Sequence, residues 1–197
     1  PRPGPPLARA CRLTGCRGSG VEEPAPGVFV FRLLSEAACG RIWAETENYC
    51  AQAAERQLPL HVRHDGTLEL SRVFPELLSC IAEAAMPAVR AVLPEELHGV
   101  SLQHAFRTHN YVGRGEDFQR HVDKYAVTLN VCLRKTADVR GSGALFFESQ
   151  AAPAPAYRHE HAVGLAVLHS SKEWHETEQI AAGERGSLIM WFSHAQQ

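Results

Sequence analysis

The spacing of apolar positions changes once along this chain, near Val100, and the change separates two kinds of secondary structure. Ahead of it, Val28-Phe-Val-Phe-Arg-Leu-Leu34 reads as a strand, and Ser35 as the N-cap of a helix running to about Gln57. Within that helix Cys39, Ile42, Trp43, Tyr49, Cys50 and Ala53 form an apolar stripe. A polar connection with His61, Arg63, His64 and Asp65 leads into a second helical stretch, about 70–93, interrupted near Pro75 and Pro87. Beyond Val100 the segments are strand-like, at roughly 100–112, 120–133, 143–149, 157–169, 173–180 and 186–193, with Gly-rich or charged turns between them. Strands that repeat with turns and no intervening helix predict a double-stranded β-helix, the two-sheet jelly roll. The N-terminal helices would cover the outer face of one sheet, giving an α+β, mainly β class. Residues 1–27 are rich in Pro, Gly and Arg and read as an irregular arm. The expected organisation is one domain over 28–197, with a helical support region at 28–99 and the jelly roll at 100–193.

Composition agrees with a single domain, since 197 residues with 45% hydrophobic content can bury a sizeable core. A net charge of -2 and the lack of a basic block leave no electrostatic footprint for nucleic acid. No run reaches the ~18 apolar residues that a membrane span needs. The cysteines at 11, 16, 39, 50, 80 and 132 lack paired zinc-type spacing. Whether Cys11 and Cys16 pair stays open, and Cys39, Cys50, Cys80 and Cys132 read as small buried hydrophobes. The chain starts at Pro1 and reads as an excised fragment and a monomer, so cytoplasm and endoplasmic reticulum lumen both stay open.

The chemistry concentrates in His121-Val122-Asp123, His175 and Arg185. Two residues of one strand with a single residue between them project to the same side. An imidazole and a carboxylate so placed, joined by a histidine from a later strand, form the two-histidine, one-carboxylate triad of non-haem Fe(II) oxygenases. A chance His-x-Asp is expected at roughly 0.2 per chain, so the tripeptide alone is weak. His159, His161, His169 and His194 compete with His175 as the distal ligand, whereas His61 and His64 read as loop histidines. The ordered combination decides: a strand-like run, a glycine turn, a histidine, then Gly-x-Arg opening the last apolar strand.

Arg185 is placed to fork onto the remote carboxylate of a keto-acid cosubstrate, and Ser187, two residues along, shares its face. Alternation also puts Thr128, Asn130 and Cys132 on one face, where a polar Thr and Asn would be costly unless they met ligand or metal-bound groups. Asn130 is therefore a candidate cosubstrate residue. His169 is a candidate for orienting the site, with a structural role equally open. Trp174 should pack in the core, and Phe146 and Phe147 in a strand, one inward and one outward. Loops 134–143 and 150–156 are expected to flank the iron mouth, with Arg134, Lys135 and Arg140 against substrate.

Tyr111-Val-Gly-Arg-Gly-Glu-Asp-Phe-Gln-Arg-His121-Val-Asp123 resembles the prolyl-4-hydroxylase-type 2-oxoglutarate dioxygenase signature. Residues 126–133, 143–147, 167–175 and 185–191 continue the resemblance, with a looser match around Leu34-Ser-Glu-Ala-Ala-Cys39. The stretch is similar to the lysyl hydroxylase catalytic domain and closer to the 2-oxoglutarate and iron-dependent oxygenase domain-containing proteins. The resemblance implies Fe(II) at the triad, 2-oxoglutarate and dioxygen as cosubstrates, ascorbate as reductant, and release of succinate and carbon dioxide. It also implies that Tyr111 donates to the oxo acid. Trp191 stands where nucleic-acid demethylases of this type carry a second arginine, and Asp123 is the ligand that halogenating relatives lack. The expected substrate is a peptide or protein side chain, prolyl before lysyl. Small-molecule hydroxylation and a non-catalytic metal-binding module are the alternatives.

Overall fold

The computed structural model describes residues 20–57, 67–113 and 119–194. Cys11, Cys16, His61, Arg63, His64, Asp65 and most of the expected arm lie outside the described residues. The end of that arm is not irregular: Glu22–Ala25 forms an edge strand, β1, antiparallel to β2 at Val28–Arg32.

Ser35 caps α1, Glu36–Glu55, by accepting a hydrogen bond from the Ala38 N–H at 3.2 Å. A second helix, α2, spans Pro75–Val92. Its expected first turn, from Leu70, is instead a non-helical turn that follows a two-residue strand β3, Leu68–Glu69, because Pro75 is suited to open a helix where its missing N–H costs nothing. Pro87 lies inside α2 without ending it.

The β region holds β4 (Ser101–Tyr111), β5 (Val127–Lys135), β6 (Ala144–Phe147), β7 (Tyr157–His159), β8 (Leu165–Ser170), β9 (Trp174–Thr177) and β10 (Glu184–Ser193). Two expected strands are broken. Segment 120–133 is regular only from Val127, and before it His121 forms an isolated bridge with His175. Segment 157–169 is two strands, turned at Gly164, whose φ of +82° and 2.2 Å approach of a Cβ to the Leu34 carbonyl oxygen leave room for glycine alone.

The strands form an antiparallel sheet in the order β1-β2-β8-β5-β10-β4-β3 and a smaller one in the order β7-β6-β9, which the His121–His175 bridge extends. This is the jelly roll, mainly β, with its helices on the outer face of the large sheet. That face carries Leu129, Val131, Leu133, Leu188, Met190 and Phe192, packed with Ile42, Trp43, Leu78 and Ile81 of the helices. Trp43 lies so close to β10 that a Cβ at Gly186 would come within 1.9 Å of its ring. Between the sheets Val28, Ala144, Phe146 and Val167 make a second, smaller cluster.

Phe146 and Phe147 are both buried, the latter under the Arg120 guanidinium at 3.4 Å, while Trp174 is only half-buried. Cys39, Cys50 and Cys132 are free thiols, but Cys80 is disulfide-bonded. No helix among the described residues is long and apolar enough to cross a membrane.

Candidate metal centre

His121 and Asp123 share a side although no regular strand holds them. Their backbone is kept extended by three hydrogen bonds: His121 N–H to His175 O at 2.9 Å, His175 N–H to His121 O at 3.0 Å, and Asp123 N–H to Ser171 O at 2.8 Å. His121, Asp123 and His175 each offer one ligand atom, all within 4.8 Å of one another. His121 Nε2 lies 3.6 Å from Asp123 Oδ1, and His175 Nε2 lies 3.7 Å from Asp123 Oδ2. The Nδ1 of each histidine faces a carbonyl two residues earlier, Gln119 O at 2.7 Å and Glu173 O at 2.8 Å. That contact requires the proton on Nδ1 and leaves both Nε2 lone pairs for one ion.

The carboxylate is oriented from the large sheet. Thr128 donates its hydroxyl to Asp123 Oδ2, and its oxygen lies 2.9 Å from the Ser171 hydroxyl. Burial opposes ionisation of Asp123, but the His121 hydrogen bond, the charge at His175 and the Thr128 hydroxyl outweigh it and hold the carboxyl at about 2. Asp123 in turn raises His121, while burial lowers His175. His169 stands 4.8 Å from His175 and 5.2 Å from Phe146, its Nδ1 donating to Ser170 O at 2.8 Å. Burial, then His175, push it down to about 4, so it is a neutral wall beside the ligands.

A cavity of about 600 Å³ opens from these residues along the inner face of the large sheet. Asn130, Arg185 and His169 line it, as do His161, Trp191 and the unanticipated Asn110 and Tyr125. The described residues give Arg185 Nε and Nη1 and Asn130 Oδ1 no hydrogen-bond partner, although all three atoms are buried. Burial pushes the Arg185 guanidinium down to about 10, still charged at neutral pH. Ser187, opposite Cys132 and Thr108 in the register, shares the inner face, and its hydroxyl is also buried without a partner. Buried polar groups are normally satisfied. An open fork at the bottom of a cavity fits the far carboxylate of a 2-oxo diacid, and the three ligand atoms at its mouth fit a divalent ion.

Other expectations are corrected by side-chain direction. Tyr111 points away from the cavity, packing its ring 5.2 Å from His109, which in turn meets Trp43 of α1 at 4.9 Å. Its neighbour Asn110 is the residue opposite Arg185. Arg134 pairs with Glu184 at 2.5–2.7 Å and lies 5.7 Å over Trp43, on the helix side. Lys135 pairs with Glu160 and the His161 carbonyl, and Arg140 joins Ala182 through its backbone. Loop 134–143 therefore closes the Arg185 end of the barrel and does not border the metal. Loop 150–156 is held by Arg120, the residue before His121, which donates to Gln150 O and Ala152 O at 2.9 and 2.6 Å.

No protein-family model matches the chain. It is 28% identical over 186 residues to 2-oxoglutarate and iron-dependent oxygenase domain-containing protein CP2 of Arabidopsis thaliana, which covers 87% of this chain and 46% of that protein. The chain thus spans about half the length of the curated relatives it matches. A nickel complex of the non-heme monooxygenase ThoJ superposes with a TM-score of 0.66 at 16% identity, over 85% of this chain and 74% of that one. A prolyl-4-hydroxylase of Pseudomonas putida gives 0.57 at 16% identity, over 91% and 99%. The sequence resemblance to the 2-oxoglutarate and iron-dependent oxygenase domain-containing proteins is thereby borne out, and the fold is shared with the monooxygenase and the prolyl-4-hydroxylase.

Proposed function

We propose that the chain is the catalytic domain of an Fe(II)- and 2-oxoglutarate-dependent dioxygenase. Its substrate is a peptide or protein side chain, prolyl before lysyl, hydroxylated with release of succinate and carbon dioxide. The observation that carries the reading is Arg185: a buried cation with two unpaired donors, in the same cavity as a three-residue ligand cluster. His121, Asp123 and His175 would hold the iron, and Arg185, with Asn130 and Ser187, the oxo acid. When bound, the iron supplies dioxygen activation coupled to oxidative decarboxylation of the cosubstrate, with ascorbate keeping the metal ferrous.

The chain's own tasks are binding, orientation and exclusion of water. The Gln119 and Glu173 carbonyls fix the histidine tautomers, Thr128 fixes the carboxylate, and the sheet walls keep the Arg185 end dry. A general base is not required of it. The peptide part is supported by the prolyl-4-hydroxylase among the structures sharing this fold, and by loop 150–156 being held by Arg120, the residue next to His121.

Purified protein with Fe(II) and 2-oxoglutarate should form succinate, and peptide libraries should gain one oxygen on proline, read by mass spectrometry. Absence of succinate from metal-loaded protein would overturn the reaction class. A hydroxylated metabolite with no modified peptide would overturn the substrate class alone.

A further inference from the structure

Beside Arg185 the cavity wall holds a second buried polar group. His161 is 2% exposed, lines the cavity, and has no hydrogen-bond partner at either ring nitrogen among the described residues. Its backbone is anchored at the Arg185 end, because its carbonyl accepts from Lys135 Nζ at 2.9 Å and Lys135 faces Arg185 in the β5–β10 register. The edge of His159, 4.9 Å away, fixes its ring from one side. Burial first, then Arg185, His159 and Lys135, keep the imidazole neutral. A neutral imidazole carries one N–H donor and one acceptor, and a buried donor without a partner is costly. That cost recurs in the folded chain unless a ligand meets it.

We propose that His161 is a positioning residue for the cosubstrate, donating a hydrogen bond to the carboxylate that Arg185 pairs with. It thereby sets the preference for a 2-oxo diacid over a 2-oxo monoacid. A neutral donor suits this place, because Arg185 and Lys135 already supply positive charge there and a third cation would repel both. The inference rests on the cosubstrate assignment of the same cavity and adds to it the residue that reads the far end of the molecule.

Calorimetry on nickel-loaded protein separates the two, with 2-oxoglutarate and 2-oxobutyrate as ligands. His161→Phe should weaken 2-oxoglutarate binding by about tenfold or more, the value of one hydrogen bond to a charged group. It should leave 2-oxobutyrate, which lacks the far carboxylate, unchanged. His161→Gln, which restores an N–H donor, should recover most of the loss. If the Phe variant does not fold, nitrogen-15 resonances of labelled histidine in the unmodified protein give the same contrast: one buried imidazole N–H should shift with the diacid and not with the monoacid. Equal losses for both ligands, no loss for either, or imidazole signals indifferent to the diacid would each overturn the role of His161. Failure of the unmodified protein to bind 2-oxoglutarate would instead overturn the cosubstrate assignment, and this inference with it.

Discussion

Arg107 and Arg185 lie on neighbouring strands of one sheet, at 4% and 3% exposure, and are treated in opposite ways. Arg107 points at α1, where its Nη1 donates to Thr46 Oγ1 at 2.8 Å and to Glu47, and its guanidinium lies 4.5 Å over the Trp43 ring. Its buried Nε is left without a partner among the described residues. Arg185 points into the jelly roll and leaves both Nε and Nη1 unmet. Taking a cation out of water costs several kcal/mol, so a fold that makes Arg107 part of its packing gives no reason within itself to keep Arg185. The same division runs through the strands. On one side of β5 and β10 stand Leu129, Val131, Leu188, Met190 and Phe192, and on the other Thr128, Asn130, Ser187 and Trp191. Alternation sends cohesion outward to the helices and recognition inward to the cavity.

The largest effect that tests this division is at the metal. Asp123→Ala removes the carboxylate on which both histidines converge, and should abolish metal binding and reduce succinate formation to background. His175→Ala should do the same. Leu188→Ala, one strand face away, should instead cost about 2–5 kcal/mol of stability with the ligand residues untouched. Near-normal succinate production by Asp123→Ala would break the inward half of the comparison, and a thermal melt lowered as far as that of Leu188→Ala would blur it.

The second test sets the arginines against each other. Arg185→Met should weaken 2-oxoglutarate binding by about 2–5 kcal/mol, roughly thirtyfold or far more, because it leaves a desolvated carboxylate unpaired. Its melting temperature should hold or rise, since an unpaired buried charge is replaced by an apolar chain. Arg107→Met should do the reverse: cosubstrate affinity kept, stability lowered by about 1–3 kcal/mol as the Thr46 bond and the contact over Trp43 are lost. A melt lowered more by Arg185→Met than by Arg107→Met would mean that Arg185 belongs to the packing after all.

What could be read from the sequence follows from the range of the interaction that decides each feature. The Ser35 cap and the stripe through Cys39, Ile42 and Trp43 depend on local geometry and were legible, whereas His121, Asp123, His175 and Arg185 were legible only as an ordered set, since a long-range bridge brings His175 to His121. The phase of β4 was not. Ala105 to Thr108 are buried on both sides, so only the pairing with β10 shows that Asn110 rather than Tyr111 faces inward. Arg134 was misplaced for a similar reason. A bulge opposite Gly186 and Ser187 inserts Leu133 as an extra residue, which turns Arg134 toward Trp43 and brings Lys135 opposite Arg185. His161 reaches Arg185 only because the chain turns between β7 and β8, and nothing in its immediate neighbours announces that. The polar alternation at Thr128 and Asn130 was the one local sign that the inner face needed a ligand.

A smaller effect is expected at Thr128, which ties the large sheet to the metal carboxylate. Thr128→Val keeps the shape of the side chain and deletes the donor to Asp123 Oδ2. Metal affinity should fall about tenfold to a hundredfold, as it does when the outer partner of a ligand is lost. Cosubstrate affinity measured at saturating metal should be retained. Loss of the second with the first kept would place Thr128 with the oxo acid.

The smallest effect belongs to Ser187. Its hydroxyl is buried, unpaired and on the same strand face as Arg185, so it is a candidate to share the oxo acid's carboxylate. Arg185 brings the charge to that contact, and Ser187 adds one donor beside it. Ser187→Ala should therefore weaken 2-oxoglutarate binding by about 1 kcal/mol, roughly fivefold, with melting temperature and metal affinity unchanged. A loss as large as that of Arg185→Met would mean that the hydroxyl orients the guanidinium rather than the ligand. No loss at all would restrict the far-carboxylate contact to Arg185 and the histidine beside it.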